Sequence, residues 1–444
     1  MSTPRFELTR IPFVNSLVKN RWPQFLVRAI TLAGFLFTIL TGLFGSAVGS
    51  HNFAIIFVWI AWWTALKLVF IPFGGRAWCA VCPIPMPGEW TQNRGILQPR
   101  GKKPFGLNKP WPKWLRGNWL QAFGFLLVGL FSAVILTTPQ VTGYALLAIL
   151  ILAFGLSLVF EHRSFCEYLC PIGGFTGLYA QATPMEVRVK DKSVCLAHTE
   201  KDCYEACPWG QYPLALKSSA NCGLCMECVR VCPKDNLGFN LRPYGTDLTA
   251  DSKHNLSEAF LGLVMLGTAL VDSAVFLGPW GSLKMAAYTI GSSQWLTFAA
   301  AYLPFTLVLV PGLFALAVGL SKKISGAGRT FKKALAYYGQ VLVPLGLMAW
   351  IAFTVSFAFV KFGYVLPAIS DPMGLGWNLL GLTGTAGVGQ SSFFIQAIQV
   401  ALLALGLFWT GRIALKISSS RREALPLVLF SSLFSVGILW LLIG

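Results

Sequence analysis

Cys222, Cys225, Cys228 and Cys232 stand in the order Cys-x2-Cys-x2-Cys-x3-Cys, with Pro233 closing the run. Three thiolates at this spacing wrap one 4Fe-4S cubane, while the fourth reaches a second cluster. A zinc site or structural thiols would also use cysteine, but zinc knuckles come as paired Cys-x2-Cys and lack the trailing proline. Upstream stands a partner motif, Cys195-Leu-Ala-His198-Thr-Glu-Lys-Asp-Cys203-Tyr-Glu-Ala-Cys207-Pro208. Crossed ligation puts Cys207 with Cys222, Cys225 and Cys228, and Cys232 with Cys195 and Cys203, which leaves the second cluster one ligand short. His198 fills the slot of the missing cysteine and is the candidate fourth ligand, and a nitrogen ligand would raise that cluster's potential. The alternatives are a 3Fe-4S cluster beside a surface histidine, or a ligand borrowed from elsewhere.

Four cysteines remain, in two equivalent settings: Arg76-Ala-Trp-Cys79-Ala-Val-Cys82-Pro83 and Arg163-Ser-Phe-Cys166-Glu-Tyr-Leu-Cys170-Pro171. Four convergent thiolates would hold a third 4Fe-4S cluster, with Arg76 and Arg163 offsetting its negative charge as cofactor-binding residues. The same thiols suit a redox-active dithiol pair, a soft metal such as Cu(I), or a structural role.

These motifs need elements to hold them, and the chain is 55% hydrophobic with only 12% charged residues, a balance that points to a lipid-embedded protein. Nine apolar segments are long enough to cross a core of about 30 Å: 26 to 47, 53 to 73, 119 to 138, 143 to 161, 256 to 278, 295 to 320, 334 to 360, 393 to 411 and 425 to 444. The first is longer than a signal h-region and is read as retained. Threaded alternately, the 35 Lys and Arg sort to one side except Lys284 and Lys361, with Lys67 inside the second segment. By the positive-inside rule that side is the cytoplasm. The chain is thus expected as a multi-pass inner-membrane protein in contact with lipid, with its N-terminus and every cysteine on the cytoplasmic side and Gly444 outside. The net charge of +18 is then a topology signal, and nucleic acid is not an expected partner.

Two hydrophobic hairpins, each followed by an Arg-x-aromatic-Cys loop, form an internal repeat. The second loop is the only soluble segment of domain size and holds nine of the eleven cysteines. The expected fold is an all-α transmembrane bundle of about nine helices with a small cytoplasmic α+β dicluster ferredoxin-like insert. Three domains are expected: membrane hairpins with the first Cys-Pro motif over 1–161, the iron-sulfur domain with the second over 162–255, and five membrane helices over 256–444.

No Cys-x-x-Cys-His haem attachment occurs, the four histidines form no pair inside the bundle, and no P-loop or credible dinucleotide fingerprint is present. The Gly-rich outer loop, 362 to 392, is either a docking site or a connector. Two ionisable residues fall inside apolar segments. Lys67 is expected to snorkel to the interface, and Asp272 is a candidate quinone or proton site.

The combination GRAWCAVCP, SFCEYLCP and a two-cluster motif resembles the NosR/NapH family of membrane polyferredoxins and, more distantly, the CcoG-type proteins. The resemblance covers roughly residues 26 to 250. It implies electron transfer between a quinol pool or cytoplasmic donor and a periplasmic reductase system, or service to metal-centre assembly. It departs from NosR in having no flavin-attachment motif outside. The expected function is an electron-transfer subunit of an oxidoreductase complex, with other redox subunits as partners, among them a periplasmic haem or flavin protein. The competing readings are a metal-assembly or copper-reducing protein and a structural anchor.

Overall fold

The computed structural model describes residues 4–101, 104–250, 254–277, 281–326, 328–382 and 393–443. Gly444 and residues 383–389 of the Gly-rich 373 to 389 stretch lie outside the described residues. The chain divides into two compact units.

Among the described residues eight helices are long and apolar enough to cross a membrane: Arg21–Phe44, Phe53–Gly74, Pro139–Val159, Leu256–Phe276, Ser293–Ser325, Phe331–Ser370, Phe393–Ile417 and Arg421–Ile443. The ninth expected crossing, 119 to 138, is broken into Trp119–Leu130 and Ser132–Ile135, because Phe131 leaves helical geometry at φ −105°, ψ 9°. With a small three-stranded sheet added, the chain is an all-α bundle carrying an α+β portion.

The first unit comprises residues 1–37, 69–116 and 147–252, and all eleven cysteines fall within it. Its sheet has the order β1 (Phe6–Glu7), β3 (Leu237–Leu241), β2 (Met185–Val189), antiparallel throughout, with Phe6 opposite Leu241 and Met185 opposite Leu241 on the other edge. One face of the sheet puts Val187 and Leu237 into an apolar core with Val18, Leu224 and Val229, against which Cys203, Cys222, Cys228 and Cys232 pack. The N-terminal segment is fastened by ion pairs from Lys19 to Asp235 and Arg21 to Glu227. Below the sheet, buried Arg242 donates to Glu186, Asp247 and Ser219, so its charge is fully paired. Asp247 in turn accepts from the Ser219 backbone N–H, which pins the loop leading to Cys222.

The second unit comprises residues 38–68, 117–146 and 253–444. Leu256–Phe276 and Phe331–Ser370 are its most buried spans, while Phe393–Ile417 and Ser293–Ser325 present apolar side chains outward, as lipid-facing helices do. Small residues set the helix crossings. A Cβ at Gly129 would stand 2.3 Å from the Tyr302 hydroxyl oxygen, so only glycine lets those helices approach so closely. Pro304 interrupts the Ser293–Ser325 ladder, and a π-helical turn, Phe305–Leu309, absorbs the interruption.

Lys67 does not snorkel. It lies on a π-helical turn, Leu66–Phe70, is 1% exposed, and holds its ammonium 4.8 Å, 5.0 Å and 5.3 Å from the ring centres of Trp63, Trp350 and Phe353. Three aromatic faces replace water around the charge. Asp272 is also buried, within electrostatic reach of Lys67, and accepts a 3.2 Å hydrogen bond from Ser132. Neither group extends to interfacial water.

Candidate metal centre

The two halves of the Cys-Pro repeat fold alike. Cys79 lies in the short helix Ala77–Val81, and Cys82 turns extended (φ −61°, ψ 130°) because Pro83 disfavours helix in the residue before it. Cys166 sits on the π-helical turn Phe165–Leu169, and Cys170 (φ −63°, ψ 117°) is likewise extended before Pro171, which opens the helix Pro171–Ala180. Cys79, Cys166 and Cys170 share one buried cluster with Phe165, Ala153, Cys207 and Trp209. Burial pushes the Cys82 thiol well up, and its neighbours Cys79 and Cys170 push it further. Burial raises Cys166 in the same way, with Cys170, Cys82 and Cys79 adding to it. The four thiols are therefore mutual neighbours in a place that disfavours free thiolate, which is the setting that binding a cationic iron centre would relieve. Polar groups meet two of their sulfurs: the Gly173 N–H donates to Cys170 Sγ (3.3 Å), and the Thr176 hydroxyl lies 3.4 Å from Cys79 Sγ.

In the Cys222–Cys232 loop, Leu224 (φ 50°) and Met226 (φ 63°) both adopt left-handed backbone, which costs on the order of 1 kcal/mol per residue for side-chain-bearing positions. The tight winding brings Cys222, Cys225 and Cys228 onto one cavity, which Cys207 and Trp209 also line. The helix Glu227–Val231 then carries the chain to Cys232, extended at φ −66°, ψ 113° before Pro233. Cys232 lines a different cavity, with Cys195, Cys203 and His198.

Polar groups converge on these sulfurs as well. The Gln211 N–H donates to Cys207 Sγ (3.4 Å), the Asn236 N–H to Cys232 Sγ (3.3 Å), and the Asn236 side-chain amide to Cys195 Sγ (3.2 Å). Such bonds stabilise charge on thiolate sulfur. His198 Nδ1 is 3.1 Å from Glu200 Oε2, in a geometry that makes no hydrogen bond. No three Cys, His, Asp or Glu side chains among the described residues close around a single ion.

The two arginines differ. Arg163 grips Glu89 through Nε and Nη2 and donates to the Cys79 carbonyl, and Glu89 also takes Arg28. Burial pushes the Glu89 carboxyl up, but Arg163 and Arg28 outweigh it and hold it at about 2. Arg163 is thus neutralised within the protein. Arg76 is 3% exposed and donates through Nη1 to the Ala220 carbonyl, while its Nε and Nη2 have no hydrogen-bond partner. It is a buried cation with donors to spare.

Glu89, Trp209, Asn236 and Thr176 escaped the sequence reading. Only Trp209 had a signal there, as an aromatic directly after Cys207-Pro208.

The 4Fe-4S binding domain family matches residues 55–102 and 142–190, once over each half of the repeat. An uncharacterized protein of Methanocaldococcus jannaschii is 29% identical over 220 residues, which span 49% of this chain and 83% of that protein. YccM of Escherichia coli, named as an electron transport protein, is 26% identical over 235 residues, 47% of this chain and 62% of YccM. The ferredoxin-type protein NapH of Haemophilus influenzae is 33% identical over 111 residues, 23% of this chain and 37% of NapH. No solved structure matches the chain. The chain thus carries a match to the 4Fe-4S binding domain family over each half of its repeat, beside eight helices long and apolar enough to cross a membrane among the described residues.

Proposed function

We propose that the chain is a membrane-bound redox subunit that passes electrons through three 4Fe-4S clusters on the cytoplasmic side of the inner membrane, between a quinone pool or cytoplasmic donor and a partner redox complex. The first cluster would be held by Cys207, Cys222, Cys225 and Cys228. The second would be held by Cys195, Cys203, Cys232 and His198, and the third by Cys79, Cys82, Cys166 and Cys170. Each cluster, when bound, supplies one-electron exchange. The protein's part is to bury the thiolates, orient N–H donors onto their sulfurs, and keep water from the cores. The observation that carries the reading is the gathering of eleven free cysteines within one compact unit, with Cys207, Cys222, Cys225 and Cys228 around one cavity and Cys195, Cys203 and Cys232 around another. The cytoplasmic side is supported by the sorting of Lys and Arg between the apolar runs. Because every cysteine lies on that side, delivery across the bilayer requires a quinone or a partner with haem or flavin on the outer side.

Metal analysis and EPR of the purified protein test this directly. About twelve irons per chain and three cubane signals are expected for three clusters. Copper at the Cys79, Cys82, Cys166, Cys170 site with about eight irons would favour the metal-handling alternative, and no iron would end the proposal.

A further inference from the structure

We propose that the indole N–H of Trp209 donates a hydrogen bond to the cluster held by Cys207, Cys222, Cys225 and Cys228 and thereby sets its potential higher than its thiolates alone would. The inference rests on the cluster assignment of the preceding section.

Trp209 is 1% exposed, the largest of the fully buried side chains, and its Nε1 has no hydrogen-bond partner within the protein. A buried indole N–H usually finds one. The ring lines the cavity formed by those four cysteines. At Gly223, inside the Cys222–Cys225 loop, an added Cβ would stand 2.1 Å from Trp209 Nε1. Nε1 therefore occupies the space a side chain at 223 would fill, beside the Cys222–Cys225 loop on the wall of the cavity that Cys207, Cys222, Cys225 and Cys228 line. Glycine at this position leaves the approach open.

The ring is held in that pose from several directions. The Arg76 guanidinium carbon lies 4.1 Å from its centre and that of Arg163 5.6 Å. The Arg163 N–H bonds the Pro208 carbonyl at 2.7 Å, and Gln211 Nε2 bonds the Trp209 carbonyl at 3.1 Å. A cation over the ring draws electron density from the indole and makes its N–H a stronger donor. A donor aimed at cluster or thiolate sulfur stabilises the reduced, more negative state, so the potential rises. The same ring packs with Cys79, Cys166 and Cys170 in one buried cluster. A single side chain thus touches two of the three cysteine sets.

The test is Trp209→Phe, which keeps an aromatic ring in place and removes only the N–H. In protein loaded with clusters, EPR-monitored redox titration should show an unchanged iron content and unchanged numbers of cubane signals. One midpoint should move to lower potential while the others stay. A second measurement serves if Trp209→Phe does not fold: ENDOR on reduced wild-type protein labelled with indole-15N tryptophan should show a 15N coupling on one cluster, and Gly223→Ala should weaken it. Intact clusters with every midpoint unchanged in Trp209→Phe, or no 15N coupling in the wild type, would overturn the inference and leave the cluster assignment standing. Wild-type protein with no cubane at all would overturn that assignment first.

Discussion

Arg163 and Glu89, 74 residues apart in the chain, form a two-pronged ion pair behind the Cys79 carbonyl, one from each half of the Cys-Pro repeat. The pair ties the first cysteine loop to the second, and Arg28 closes it from the N-terminal helix.

Glu89→Gln would leave the buried Arg163 and the half-buried Arg28 without their carboxylate. Breaking a buried pair on one side costs roughly 3–5 kcal/mol. The variant should melt well below the wild type in detergent. It should also lose iron from the Cys79, Cys82, Cys166, Cys170 site before the others, read as loss of one cubane signal with the remaining two intact.

The same pair predicts a pH window. Glu89 is ionised down to about pH 2 in the folded protein and would titrate near 4.5 unfolded. Its contribution is therefore fully present above about pH 4.5 and is lost as the pH falls towards 2. The melting difference between wild type and Glu89→Gln should be the same at pH 8 and pH 5.5 and should narrow only below pH 4.5. A difference that already shrinks between pH 8 and pH 6 would mean that another group controls the pair.

His198 lines the cavity with Cys195, Cys203 and Cys232, so the exchange of nitrogen for sulfur at one ligand can be read electrochemically. His198→Cys should lower one midpoint potential and keep four irons there, whereas His198→Ala should convert that cluster to a three-iron form or lose it. Three proteins with identical spectra and potentials would make His198 a bystander.

In the membrane unit, Lys67 and Asp272 should behave as a coupled pair. Lys67→Met and Asp272→Asn each leave a buried partner, and together they remove both charges. The double variant should be more stable than the sum of the single losses predicts, by about 0.5–3 kcal/mol in a thermal double-mutant cycle. Strict additivity would show that the two groups do not feel each other.

The cysteine motifs were legible because their spacing is local: Cys222 to Cys232 announce themselves within eleven consecutive residues. The fold class was legible for a similar reason, since an apolar run of about twenty residues needs no tertiary information to be read as a span. What stayed hidden depends on distant chain segments meeting. Trp209 reaches Gly223 only after folding, and Asn236 reaches Cys195 across 41 residues. Lys67 was misread because hydropathy says how deep a residue lies and nothing of which neighbours face it, and here three aromatic rings do. The break at Phe131 was missed because the run from Trp119 is uniformly apolar, and no proline or charge marks the residue that leaves the helix.

The strand Phe6–Glu7 gives the sheet its outer edge by pairing with residues more than two hundred positions later. During synthesis these residues emerge long before Leu237–Leu241 and stay unpaired until that strand is made. The register that completes the sheet is thus settled by one of the longest loop closures in the chain, and closures of that kind are slow.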